Sequence, residues 1–252
     1  MIEFRNVSLE IGKKRILKDV SFCMESGKIT SLIGKNGAGK TSALKCLIEE
    51  YSYEGRILID GCDIRKMSSS ERAKRISYLP QILKDVPFTV YELASLGRRP
   101  YQSRIGKENK EDKEMIERAL TLTDMHAFRN RRVDTLSGGE KQRAYLSMAI
   151  SQNTDIIALD EPSAYMDAPA QREMISLLKK FSKEMGKTIV QVVHDLSGAV
   201  NHSDNIVIMD GGSVVLEADA ESVKRGTAIE EIFSVKKGVF LLQSGEEQTV
   251  YM

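Results

Sequence analysis

The sequence predicts an α/β fold: a parallel-sheet core around a phosphate-binding loop, an antiparallel β subdomain beside it, and an inserted helical subdomain. Three observations predict it. First, a β-branched, largely apolar run, Ile29 to Ile33, leads into Gly34-Lys35-Asn36-Gly37-Ala38-Gly39-Lys40-Thr41, and a helix-compatible run, Ser42 to Glu49, leads out. Strand, loop and helix are the setting that the pattern G-x-x-x-x-G-K-[ST] requires. Second, Ile156 to Leu159 and Thr188 to Val193 are short apolar runs of the kind buried on both faces of a parallel sheet. Third, from Asp85 to about Ile150 strand signals vanish and helical periodicity replaces them. The expected organisation is one domain over 1–252, with 1–84 and 151–252 forming the core and β subdomain and 85–150 the helical subdomain.

Taken in order, Ile2, Phe4 and Val7 stand in the near-alternation of a half-buried strand, and Ile16 to Phe22 repeats it after a turn at Gly12-Lys13-Lys14. Gly55 to Gly61 reads as a short strand entering a turn, so 1–33 and 50–65 suggest a small antiparallel sheet beside the loop. Ile76 to Leu79 is a further strand, ending at Pro80-Gln81. Lys107 to Met125 places Met115, Ile116, Ala119, Leu120 and Leu122 near a period of 3.6. Ser137 and Glu140 form a capping box that starts a helix running to about Ser151. Asp167 caps a helix with Met174, Leu177, Leu178, Phe181 and Met185 on one face, and Gly186 ends it. Asp210-Gly211-Gly212 marks a hairpin between Asn205–Met209 and Ser213–Leu216. The tail from Val223 to Met252 carries no motif with assignable chemistry.

Composition narrows the function. The chain of 252 residues supports a sizeable core, and 37 basic against 36 acidic residues leave +1, which does not suggest a nucleic-acid surface. Cys23, Cys46 and Cys62 lack C-x-x-C spacing and read as reduced, buried or half-buried thiols of a cytosolic protein. Met1 leads straight into strand-like alternation, so no signal peptide is expected. Apolar runs such as Ile156–Leu159 and Val239–Leu242 fall far short of the ~20 residues of a membrane span. Any membrane connection is therefore expected through a partner.

The chemistry starts at the loop. Its glycines let backbone N–H groups turn inward as a nest for anionic oxygens, and the helix beginning near Gly39 adds its positive end. Gly34, Asn36, Gly37, Ala38, Gly39, Lys40, Thr41 and Ser42 are the expected nucleotide contacts, with Lys40 reaching the β- and γ-phosphates and the Thr41 hydroxyl a Mg²⁺ ion. Asp160-Glu161 closes the Ile156–Leu159 strand at the edge where α/β folds bind ligands. Asp160 is expected to hold Mg²⁺, and Glu161 to act as general base on the attacking water. His194 closes the Thr188–Val193 strand in the same sense and suits a contact to the γ-phosphate. His126 and His202 end no buried strand and read as packed or solvated. Gln81 also follows a strand, which brings its amide toward the same edge. Leu136-Ser137-Gly138-Gly139-Glu140-Lys141-Gln142 puts two glycines after a capping serine, a helix N-terminus open to a phosphate. A second anion site on a separate subdomain implies a second chain whose nucleotide it completes.

In this order the motifs resemble those of the nucleotide-binding subunits of ABC (ATP-binding cassette) transporters, over nearly the whole chain. Gly34–Thr41 resembles the Walker A loop, Gln81 the Q-loop, Leu136–Gln142 the signature, Ile156–Glu161 Walker B with its catalytic glutamate, Ala164-Tyr165-Met166-Asp167 the D-loop and His194 the switch histidine. The resemblance implies a P-loop NTPase (RecA-like) core, catalysis by Glu161, His194, Gln81 and Lys40, and metal contacts from Thr41, Gln81 and Asp160. It implies nucleotide contacts by Ser137, Gly138, Gly139 and Gln142 across a head-to-tail homodimer that sandwiches two ATP molecules. Two positions depart from the pattern: Ala164 and Met166 stand where the D-loop usually has serine and leucine, and Ile11 stands where an aromatic residue usually stacks on adenine. Base recognition is therefore expected to be weaker or to come from elsewhere.

Thr89 to Tyr101 and His194-Asp195-Leu196 with Ala199 are similar to importers of iron–siderophore complexes, haem and cobalamin. That resemblance implies an ATPase on the cytoplasmic face of the membrane, bound to integral permease subunits that receive substrate from an extracytoplasmic binding protein. Phe88, Val90, Leu93 and Leu96 then offer apolar anchors for a permease helix, and Arg98 and Arg99 a basic rim. Two rivals stay open: a soluble, non-transport cassette or an importer subunit for another substrate, and a module that binds ATP without turnover. The single cassette and the lack of a sustained heptad run weigh against repair or translation types, and Glu161 with His194 weighs against a non-enzyme.

Overall fold

Alternating side chains from Ile2 onward build β1 (Ile2–Ile11), which turns at Gly12 and returns as β2 (Lys14–Met24). The computed structural model describes residues 1–102, 108–164, 166–241 and 247–252. Lys107, Tyr165 and Leu242, which fall in stretches singled out above, lie outside the described residues. β3 (Ile29–Gly34) follows, then α1 (Lys40–Leu47), β4 (Glu54–Ile59) and the two-residue β5 (Cys62–Asp63). The antiparallel sheet runs in the order β2-β1-β4-β5, as the alternation predicted. Phe4, Leu9, Leu17, Val20 and Phe22 are buried within it, and the Phe4 and Phe22 rings stack with centroids 4.4 Å apart. Cys46 is buried, and desolvation pushes its thiol up to about 12. Cys23 and Cys62 are exposed, which corrects their expected burial. Both lie on edge strands of the antiparallel sheet and point away from its apolar side.

Next come α2 (Ser69–Arg75), β6 (Ile76–Leu79), α3 (Val90–Leu96), α4 (Lys110–Leu122), α5 (Gly138–Ser151), β7 (Ile156–Asp160) and α6 (Ala168–Lys183). β6 and β7 are parallel neighbours, with Leu79 beside Leu159. Residues Met67–Phe181 form one compact unit, and Met1–Lys66 with Ser182–Met252 form another. β6 and β7 share a unit with the helices because side chains bind them there. The Gln152 amide donates to Ala73 O at 2.5 Å and Ile76 O at 2.9 Å, and the Thr154 hydroxyl donates to Ser77 Oγ at 3.1 Å.

The first unit resumes with β8 (Thr188–Val192), α7 (Leu196–His202), β9 (Asn205–Asp210), β10 (Ser213–Asp219), α8 (Ala220–Arg225), α9 (Ala228–Phe233) and the hairpin β11 (Lys237–Leu241) and β12 (Glu247–Tyr251). β3 lies between β8 and β9, parallel to both, and β10 pairs antiparallel with β9 across the Gly211-Gly212 turn. Every residue of β3 and β8 is buried, which explains their unbroken runs. Ile33, Ile206, Ile208, Val200, Val223 and Ile229 pack into one cluster with Tyr251 and Val235 at its rim. The tail thus helps to close the core. At ~1.5–3 kcal/mol per buried aliphatic side chain, such a cluster fixes where β3 ends.

Candidate nucleotide site

β3 delivers Gly34 beside β9, where φ is +156° and a Cβ would lie 2.2 Å from the Met209 carbonyl oxygen. Only glycine fits that approach. Gly39, with φ +99°, caps α1, and a Cβ there would lie 2.7 Å from Leu17 Cδ2. Between them the chain folds on itself, with Ala38 N donating to Lys35 O at 3.1 Å. The buried Lys40 ammonium donates to Gly34 O at 2.7 Å and Lys35 O at 3.2 Å. An anionic oxygen is a stronger acceptor for an ammonium than a neutral carbonyl. The first turn of α1 holds no acidic residue to compete with an anion for the helix's positive end. Asn36 and Gly37 are exposed, and Thr41 and Ser42 half-buried on the first turn. This close cradle fits a polyphosphate.

His194 is exposed two residues beyond β8, whose Val192 pairs with Leu32 of β3. The loop and His194 therefore leave neighbouring strands at the same edge. Ile11 closes the β1–β2 hairpin opposite Lys14 and is exposed.

In the second unit β7 delivers the buried Asp160, whose Oδ2 lies 3.4 Å from the Tyr78 hydroxyl that donates to it. Glu161 follows with φ +53°, a left-handed backbone uncommon for a residue with a side chain. Because Leu79 pairs with Leu159, Gln81 leaves its strand beside Asp160 and Glu161. Of the D-loop stretch, Asp167 Oδ1 accepts Ala170 N at 3.0 Å, and Gln171 donates to Met166 O at 3.1 Å. Sequence reading missed Tyr78, since no motif marks it.

The capping box of α5 is present. Ser137 Oγ accepts Glu140 N at 3.4 Å, and Glu140 Oε2 accepts Ser137 N at 2.8 Å. The Ser137 backbone N–H, then its hydroxyl, holds the Glu140 carboxyl below the usual carboxylate range. Ser137 and Gly138 are exposed, Gly139 half-buried. Gln142 shares the buried face of α5 with Tyr145, Leu146 and Ala149, and its amide has no hydrogen-bond partner among the described residues. Two ties also escaped the sequence: Tyr145 Oη donates to Lys84 O at 2.8 Å, and Lys141 pairs with Asp85. They fasten the segment just after Gln81 to the helix that opens at Ser137.

The basic rim is corrected as well. Arg98 is 2% exposed, donating to Asp112 Oδ1 at 2.9 Å and Ser151 O at 3.0 Å, whereas Arg99 is exposed. Val90 and Leu93 belong to the core, leaving Phe88 and Tyr101 as exposed apolar groups.

Thr41 hydroxyl, Asp160 carboxylate and Gln81 amide are hard oxygen donors, the kind Mg²⁺ takes. Among the described residues no group of three His, Cys, Asp or Glu could hold a metal. Among the described residues no helix is long and apolar enough to cross a membrane.

The family description "ABC transporter" matches residues 17–164. Over 237 residues the chain is 40% identical to the petrobactin import ATP-binding protein YclP of Bacillus subtilis (strain 168), covering 93% of each chain. It is 38% identical over 227 residues to the iron(3+)-hydroxamate import ATP-binding protein FhuC of the same strain, covering 89% of this chain and 84% of that one. Among solved structures, MJ0796, a bacterial ABC transporter cassette solved as a dimer, superposes with a TM-score of 0.77 at 27% identity, covering 87% of this chain and 99% of that one.

Proposed function

The chain belongs to the ABC transporter family, and from that premise we propose that it is the ATP-hydrolysing subunit that powers import of a metal chelate of the iron–siderophore, haem or cobalamin type. The observation that carries the reading is its identity to two import ATP-binding proteins across most of their lengths and its own. Integral permease subunits would supply the path through the membrane, and this chain would sit on its cytoplasmic face. An extracytoplasmic binding protein would deliver the substrate. Two copies would work together, head to tail, as ATP-bound cassettes.

Within that reading the loop 34–42 binds the phosphates, with Lys40 exchanging its carbonyl partners for β- and γ-phosphate oxygens. Thr41, Gln81 and Asp160 would hold Mg²⁺, which when bound neutralises phosphate charge. Glu161 accepts the proton of the attacking water, and His194 orients toward the γ-phosphate. Ser137, Gly138 and Gly139 would meet the nucleotide of the second copy. Catalysis is then positioning and electrostatics, with in-line displacement and no covalent intermediate.

Glu161→Gln tests it. The amide keeps the shape but accepts no proton, so ATP binding should stay within about twofold while phosphate release falls at least ~100-fold. Near-native turnover in this variant would remove Glu161 as the base. Purification from detergent-solubilised native membranes tests the importer assignment: an integral permease should accompany the chain, and its absence would favour the soluble cassette.

A further inference from the structure

The C-terminal hairpin leaves one strand edge open, and we propose that a second copy of this chain closes it. β11 and β12 pair from Lys237↔Tyr251 to Leu241↔Glu247. Lys236 and Met252 exchange both backbone bonds, at 2.8 and 2.9 Å. Bonded and non-bonded pairs alternate from there, so the backbone groups of 237, 239 and 241, and of 247, 249 and 251, face outward. On β12 both outward groups of Thr249 and the N–H of Tyr251 are capped. Asn201 donates to Thr249 O at 2.7 Å and accepts Thr249 N at 3.2 Å, and Ser197 Oγ accepts Tyr251 N at 3.0 Å. On β11, Lys237 N donates to Glu230 Oε1 at 3.3 Å. Val239 and Leu241 have no such cap among the described residues. Val239, Phe240 and Leu241 are 57%, 53% and 72% exposed. Gly238-Val239-Phe240-Leu241 carries neither the proline nor the charge that normally guards an edge.

The open groups form their own complement. A two-fold axis at Phe240 sets Val239 antiparallel against Leu241 of the second copy, and each such pair exchanges two backbone hydrogen bonds. The four outward groups of Val239 and Leu241 on each chain are then used. Phe240 faces its own counterpart as a non-bonded pair, where side chains come closest, and Val239 and Leu241 meet on the other face. The result is a four-stranded sheet with apolar contacts on both faces. An extended segment of another protein would match the backbone but has no reason to match both faces. This contact needs no nucleotide and stands apart from the ATP-dependent pairing proposed above.

The test uses the full chain without nucleotide. In a Cys23→Ser, Cys62→Ser background, Phe240→Cys should give a covalent dimer on mild oxidation, because non-bonded antiparallel pairs bring Cα atoms to about 4.5 Å, within disulfide range. Val215→Cys, at another exposed position, should form no covalent dimer. In sedimentation the unmodified chain should dimerise, and Val239→Pro, which removes an outward N–H at an edge that tolerates proline, should raise the dissociation constant about tenfold or more. Monomers at ~100 µM with no cross-link, or a dimer indifferent to Val239→Pro, would overturn the proposal. A dimer that forms only with ATP and ignores Val239→Pro would also overturn it, while leaving the ATPase reading intact.

Discussion

At the scale of single residues, Arg98 shows how charge and burial divide a short basic stretch. Its guanidinium joins Asp112 and the Ser151 carbonyl, and its plane lies 4.1 Å from the Tyr101 ring centroid. Arg98→Glu should therefore destabilise the fold by roughly 3–5 kcal/mol, as breaking a buried pair does. Arg99→Glu at the exposed neighbour should change stability by less than ~0.5 kcal/mol, so chemical denaturation separates them. Burial pushes the Asp112 carboxyl up, but the Arg98 hydrogen bond, the Asn109 N–H and the Arg98 charge outweigh it, and the net shift is downward. A lowered carboxylate contributes stability above its ordinary value near 4 and loses it as pH falls through the folded value. The stability gap between the native chain and Asp112→Asn should thus be constant from pH 8 to about 5 and close below about 4. Glu161 carries a different cost, about 1–2 kcal/mol for its left-handed backbone. Glu161→Gly should melt no lower than Glu161→Ala, reversing the usual order. The phosphate loop, Asp160, Glu161 and His194 were legible because each ends a buried strand. Arg98 was not, because a basic pair in sequence does not say which member turns inward.

At the scale of elements, α5 carries two demands at its first turn. Ser137 caps the helix and, in the proposed mechanism, meets a phosphate. Ser137→Asp separates them: aspartate is an equally good cap and suits the helix dipole, so the melting temperature should hold. Its charge repels phosphate, so turnover should collapse. Ser137→Ala should cost ~1 kcal/mol of stability. If Ser137→Asp hydrolysed ATP normally, the serine would be only a cap. The α5 box was legible because glycines and a long buried face follow it. Comparable boxes at Ser68–Glu71 and Thr89–Glu92 start α2 and α3. The sequence does not reveal them, because seven residues are too few to establish a period of 3.6 and α2 buries none of its side chains. The tail strands β11 and β12 were invisible for another reason. Their exposed apolar residues, Val239, Phe240 and Leu241, stand in one run and give no alternation.

At the scale of the whole molecule, ATP should act on stability chiefly through the phosphate loop. At a concentration a hundred times its dissociation constant, a ligand that binds only the folded state adds about 2.7 kcal/mol. Thermal denaturation with and without ATP should show that gain, and Lys40→Ala should abolish it while leaving the ligand-free chain folded. A full shift in Lys40→Ala would mean that the nucleotide binds elsewhere. The fold class was legible at this scale from a few runs and one loop, but the unit boundaries were not. Ties such as Gln152 to Ala73 and Ile76 link residues distant in sequence, and composition carries no trace of them.

The bonds from Asn201 and Ser197 to β12 have a practical side. α7 opens two residues after His194, and its side chains hold the last strand of the chain. A six-residue trim from the C-terminus would therefore not be cosmetic. It would cut the mooring of the helix next to the histidine and strip Tyr251 from the core rim. Removing residues 247–252 should therefore lower turnover while the phosphate loop stays whole.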